Sequence, residues 1–223
     1  MRVEHDRAQD AFLDALRVFM GAVRRLSDSK LLAPSRCRGW SVGDVAVHVH
    51  FGLQEMLLGI VAPTDEQPDT DAATYWRAET QGDSDQLAQI RFVRLVGAAY
   101  QRPTGIVQHL RPTAEGIAAA VDALKPGVLA FQGHVMTTGD FLATWAVELA
   151  VHHLDLTAEV AMEPPASTAL ALARETVEAL AGGPLPSSWP DDVVVLLGSG
   201  RMRADSRQWQ EAGALVEQLP VLG

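Results

Sequence analysis

Glu148 and His152 stand four residues apart, a spacing that sets two side chains one turn apart on the same helix face. Helical bundles present paired metal ligands to their interior in this way. The spacing alone is weak: with 12 glutamates and 7 histidines in 223 residues, chance supplies about 0.4 such pairs, and by itself it favours a surface or capping pair. Context adds more. Residues 141–147 carry no charge, so the helix is expected to be buried, and a buried carboxylate needs a partner. His48 follows Val45 by three and precedes Met56 by eight, which puts it on the apolar stripe of another helix. His50 lies about 200° further round that helix and faces elsewhere. Two imidazoles and one carboxylate leave a fourth position open on a divalent ion, the composition of a catalytic metal site.

Other residues have chemistry to offer. His153 is 100° round from His152 and reads as a packed or hydrogen-bonded histidine. Asp155, three residues past His152, either accepts the N–H of a ligating imidazole or pairs with a surface arginine. Trp40 reads as a packing residue at a helix start, or as a pocket wall. Cys37 is the single cysteine and sits between Arg36 and Arg38. That setting favours a thiolate, but no catalytic partner accompanies it, so it reads as a structural loop cysteine. One cysteine excludes an internal disulfide and any CxxC site. The segment 198–201, Gly-Ser-Gly-Arg, lacks phosphate-loop spacing and reads as a tight turn.

These residues require helices to hold them. Phe12, Leu16, Phe19, Val23 and Leu26 recur at three and four, which predicts an amphipathic helix over about residues 4–27. Ser41 and Asp44 form a capping box, so the His48 helix begins near Val42. Further helices are expected over 83–101, 112–124 and 140–159, with Pro103 as a break. Residues 127–139 read as a loop or short extended segment, and 166–181 as another helix. The β-branched run at 193–197 reads as one short strand, before a last helix over 205–219. The expectation is a mainly α protein. Its architecture is an antiparallel bundle of four to five helices over 1–163, with a small α/β helix-strand-helix tail over 164–223.

The stretch Cys37-Arg38-Gly39-Trp40-Ser41-Val42-Gly43-Asp44-Val45-Ala46-Val47-His48 resembles the Cys-Pro-Gly-Trp-Thr-Val-x-Asp-Leu-x-x-His signature of DinB-like metalloenzymes. More narrowly it resembles the mycothiol-dependent maleylpyruvate isomerase family of actinobacteria. Trp145-Ala146-Val147-Glu148-Leu149-Ala150-Val151-His152-His153-Leu154-Asp155-Leu156 is similar to that family's second motif, a Glu-xxx-His followed by Trp-Asp or Leu-Asp. Arg38 replaces the usual proline, which bears on loop stiffness rather than on metal ligation. The likeness covers roughly residues 8–160. It implies a four-helix bundle (DinB-like) binding Zn²⁺ through His48, Glu148 and His152, with mycothiol as the thiol cofactor. It implies a thiol transferase or isomerase acting on a small electrophilic substrate. Two other readings stay open: a hydrolase using metal-bound hydroxide, with His153 or Asp155 as base, and a non-catalytic bundle stabilised by metal.

Composition sets the outer limits. Eighteen basic against 28 acidic residues give a net charge of −10, unlike a nucleic-acid-coating protein. Only Lys30 and Lys125 are lysines, a bias of GC-rich genomes. No run reaches the length of a membrane span, and the acidic first 25 residues do not read as a signal peptide. A cytoplasmic protein with small-molecule partners is expected, and a homodimer is compatible with it.

Overall fold

A computed structural model describes residues 1–77 and 83–222, and helix dominates it. The elements in chain order are α1 (His5–Val23), α2 (Asp28–Leu31), α3 (Val42–Ile60), α4 (Asp83–Ala99) and α5 (Thr104–Asp122). They continue with β1 (Val128–Phe131), β2 (His134–Thr137), α6 (Thr138–Leu156), α7 (Ser167–Ala181), α8 (Asp191–Gly198), α9 (Ser206–Ala212) and α10 (Ala214–Glu217).

Helices α1, α3, α5 and α6 close a ring in which each touches two others. Their directions follow from their contacts. Gly59 of α3 meets Phe141 at the start of α6, and Gly52 meets Trp145, so this pair is antiparallel. The start of α1 meets the end of α5, where Gln9 Nε2 donates to Val121 O at 2.6 Å. By contrast His50 of α3 stacks beside His109 of α5, and Ala46 clusters with Ile106, so these two run parallel. The bundle is therefore up–down–down–up. Helix α4 makes this possible by carrying the chain back along α3, where Gly97 reaches Asp44.

Local signals explain the elements that frame the site. Ser41 Oγ accepts from Asp44 N–H while Asp44 accepts from Ser41 N–H, the capping box that starts α3. Thr137 caps α6. Asp140, in the first turn of α6, is fully buried and accepts from Val3 N–H at 2.9 Å and Arg2 Nη1 at 2.6 Å. Gly139 is required there, because a Cβ would sit 2.2 Å from Val3 O. Helix α6 is buried on nearly every side, as an apolar helix at the centre of a domain must be.

Three expectations change, and one open reading is decided. Residues 193–197 are helical, in α8, and not a strand. Pro190 precedes the helix, Asp191 and Asp192 occupy its first turn where acidic charge is favourable, and its apolar residues pack on α7 and α6. The sheet lies instead at 128–137, where β1 and β2 form an antiparallel hairpin. Its two-residue turn, Gln132 and Gly133, has positive φ at both positions (49° and 79°), the conformation that matches strand twist. Helix α5 begins at Thr104 and runs through Pro112, which is exposed. The last helix is split into α9 and α10 at Gly213, φ 52°. One hydrophobic cluster joins residues from Val3 to Leu222, so α7 and α8 share the core of the bundle.

Candidate metal centre

His48, Glu148 and His152 meet between α3 and α6, each offering one ligand atom within 4.8 Å of the others. His48 Nε2 lies 3.1 Å from Glu148 Oε1, and His152 Nε2 lies 3.0 Å from the same oxygen. The two rings meet edge to face at 4.6 Å. Absent side chains allow this approach. A Cβ at Gly59 would lie 2.8 Å from Phe141 Cζ, so a larger residue would push α3 away from α6.

The donor set is that of a cation site. Buried Asp155, with a side chain 0% exposed, is ionised and can only accept, so His152 Nδ1 at 2.9 Å must be the N–H donor. The Nε2 of a neutral His152 then turns a lone pair toward the Glu148 carboxylate. Two acceptors 3.0 Å apart need a proton or a cation between them. The titration shifts follow the same logic. Burial pushes the Glu148 carboxyl up, but the charges and hydrogen bonds of His152 and His48 bring it well below the usual range. Burial pushes His152 down, while Glu148 and Asp155 carry it well above the usual imidazole value. Asp155 is likewise raised by burial and brought far lower by His152 and Arg201.

The triad is partly exposed. His48 and Glu148 side chains are 21% and 27% exposed, His152 only 6%. Trp40 lies beside the triad with its ring 5.1 Å from His48, and it also packs against the hydrophobic core. His153 is turned away, with Nε2 donating to Glu163 O at 2.9 Å and its ring edge-on to Phe19. His50 is buried at 1% with neither ring nitrogen hydrogen-bonded among the described residues.

Two residues that touch the site were not singled out for it by the sequence. Cys37 donates its S–H to Asp155 Oδ2 at 3.0 Å, and Arg201 donates to both oxygens of the same carboxylate. For Arg201 the only sequence signal was an acid needing a counter-charge, and for Cys37 it was its place at the head of the Cys37–His48 motif. The loop before α3 is tied to the end of α6, where Arg36 N–H donates to Asp155 O at 3.0 Å and Arg36 Nε to Leu154 O at 3.1 Å. The first of these bonds satisfies a carbonyl that the helix end leaves free.

An up–down–down–up helical bundle with an inward His–Glu–His cluster defines the class. Residues 12–157 match the family described as "Mycothiol maleylpyruvate isomerase N-terminal domain", and the chain belongs to that family. No curated protein and no solved structure matches it. Among the described residues no helix is long and apolar enough to cross a membrane.

Proposed function

We propose that the protein is a zinc-dependent thiol isomerase or transferase that works with a low-molecular-weight thiol, mycothiol, on a small electrophilic substrate. The convergence of His48, Glu148 and His152 within a member of this family is the observation that carries the reading. Bound there, Zn²⁺ would supply a Lewis acid able to hold a small thiol as its thiolate near neutral pH.

The chain's own residues have separate tasks. His48 and His152 bind as neutral imidazoles, and Glu148 offsets part of the ionic charge. Asp155 holds the His152 tautomer through Nδ1–H, a common outer-shell arrangement. Trp40 packs beside the His48 ring and would shield it from water. Cys37 is engaged with Asp155 behind His152, which supports a nucleophilic sulfur brought by the cofactor rather than by the protein. A hydrolase needs a base facing the open position. His153 and Asp155 both point elsewhere, which favours the thiol reading.

The test is a zinc-loaded sample with equimolar thiol and a small electrophile. A zinc-dependent rate above the uncatalysed background is expected with mycothiol. No such rate across several thiols, or a rate independent of thiol, would overturn the proposal.

A further inference from the structure

Arg201 belongs to the turn after α8, well beyond residue 157 where the family match ends, yet its guanidinium reaches the back of the triad. Nε donates to Asp155 Oδ1 at 3.1 Å and Nη2 to Oδ2 at 3.3 Å, so the planar fork lies along the carboxylate edge. Nη1 donates to Ser199 O at 2.9 Å, which fixes the arginine within its own turn. That turn is held in place by Met202 N–H on Leu196 O at 3.0 Å, and Val221 N–H on Gly198 O at 2.8 Å.

Asp155 thus collects donors from three parts of the chain. Oδ2 accepts from His152 Nδ1, from Cys37 and from Arg201, while Oδ1 accepts from Arg201. Among the described residues, no other arginine or lysine side chain bonds this carboxylate. Arg36, next to Cys37 in the chain, spends its hydrogen bonds on backbone carbonyls. A carboxylate held by one imidazole alone can rotate about its last bond. One gripped along its edge by a guanidinium cannot, and two-point recognition of this kind is specific to arginine.

We propose that Arg201 is a positioning residue for the metal centre, acting through Asp155 to hold His152 with Nε2 turned toward Glu148. The inference rests on the metal reading of His48, Glu148 and His152. It assigns the C-terminal region a part in building the site.

The test compares zinc affinity, by competition with a chromogenic chelator, in wild type, Arg201→Met, Arg201→Lys, Asp155→Asn and the Asp155→Asn/Arg201→Met double variant. Outer-shell substitutions at metal sites cost roughly 10–100-fold in affinity. Arg201→Met is expected to weaken zinc binding about tenfold and Arg201→Lys by several-fold, since lysine keeps the charge and loses the fork. In the Asp155→Asn background, Arg201→Met should cost less than about twofold more, because both changes act through one carboxylate. Cobalt(II)-loaded Arg201→Met should also show shifted absorption bands at saturating metal, which a loss of global stability alone does not produce. Wild-type affinity in both Arg201 variants, or fully additive losses in the double variant, would overturn the inference. If Arg201→Met does not fold, Arg201→Lys carries the same comparison. Wild-type protein that takes up no zinc would overturn the metal reading itself, and this inference with it.

Discussion

Trp145 packs into the space that Gly52 leaves: a Cβ on Gly52 would lie 3.0 Å from Cζ3 and 3.3 Å from Cη2 of the indole. Gly52 is one turn beyond His48 on α3, and Trp145 is one turn before Glu148 on α6. The contact therefore sets how closely the two site-bearing helices approach. Gly52→Val should force them apart. Overpacking of this kind costs about 1–3 kcal/mol, read as a lower denaturant midpoint, and zinc affinity should fall with it. A variant as stable as wild type with unchanged affinity would contradict this.

The proposed ligands make a sharper set. His48→Ala, Glu148→Ala and His152→Ala should each abolish stoichiometric zinc by elemental analysis. His50→Ala should keep it, since His50 packs against His109 at 4.5 Å on the α5 side of α3. Glu148→Gln keeps the size and removes the charge, so it should bind weakly and stay folded. Retained zinc in His48→Ala with loss in His50→Ala would refute the ligand assignment.

His50 itself should be a stabilising target. Its ring is buried, with both nitrogens lacking a hydrogen bond among the described residues. Burial, and then the charge of His109, hold it below the usual imidazole value. Replacing an unsatisfied polar group by an apolar one of similar shape is neutral or favourable. His50→Leu should raise the free energy of chemical unfolding by about 1 kcal/mol, with zinc binding unchanged. A clear loss of stability would show that the two nitrogens have partners.

Arg174 provides a contrast with Arg201. It sits on α7 and donates to the carbonyls of Leu185, Pro186 and Trp189, and to Glu178 and Asp191. Removing it leaves several acceptors without a donor. Arg174→Met should cost about 2–4 kcal/mol in an unfolding titration, while the folded protein keeps its zinc affinity. Weakened zinc binding in this variant would mean that the C-terminal region acts on the site globally.

What could be read from the chain was local. The Ser41 and Asp44 box starts α3 because both halves of the cap lie within four residues. Glu148 and His152 share a face for the same reason, and the helical period separates His48, which faces α6, from His50, which is buried toward α5. An extended segment at 127–139 was one of two readings, but its pairing as a hairpin was not legible, since a Gln-Gly turn lacks the usual Asn or Asp. Nor was α8, whose valines imitate a strand until α7 supplies a surface to pack on. The grip of Arg201 on Asp155 was beyond reach in a different sense. It spans 46 residues, and no pattern within either segment depends on it. The parallel run of α3 beside α5 is likewise a property of the α4 return, invisible to any single helix.

His48 and Glu148 are 100 residues apart in the chain, whereas Glu148 and His152 share one turn. An ion bound by all three closes a loop of that size, as a covalent cross-link would. Closing about 100 residues is worth roughly 4–5 kcal/mol of chain entropy in polymer terms, and the figure changes only slowly with length. An opened chain keeps just the two-ligand remnant on α6 and binds more weakly. On this reading, the metal content of a sample is also a gauge of how much of it has reached its native topology.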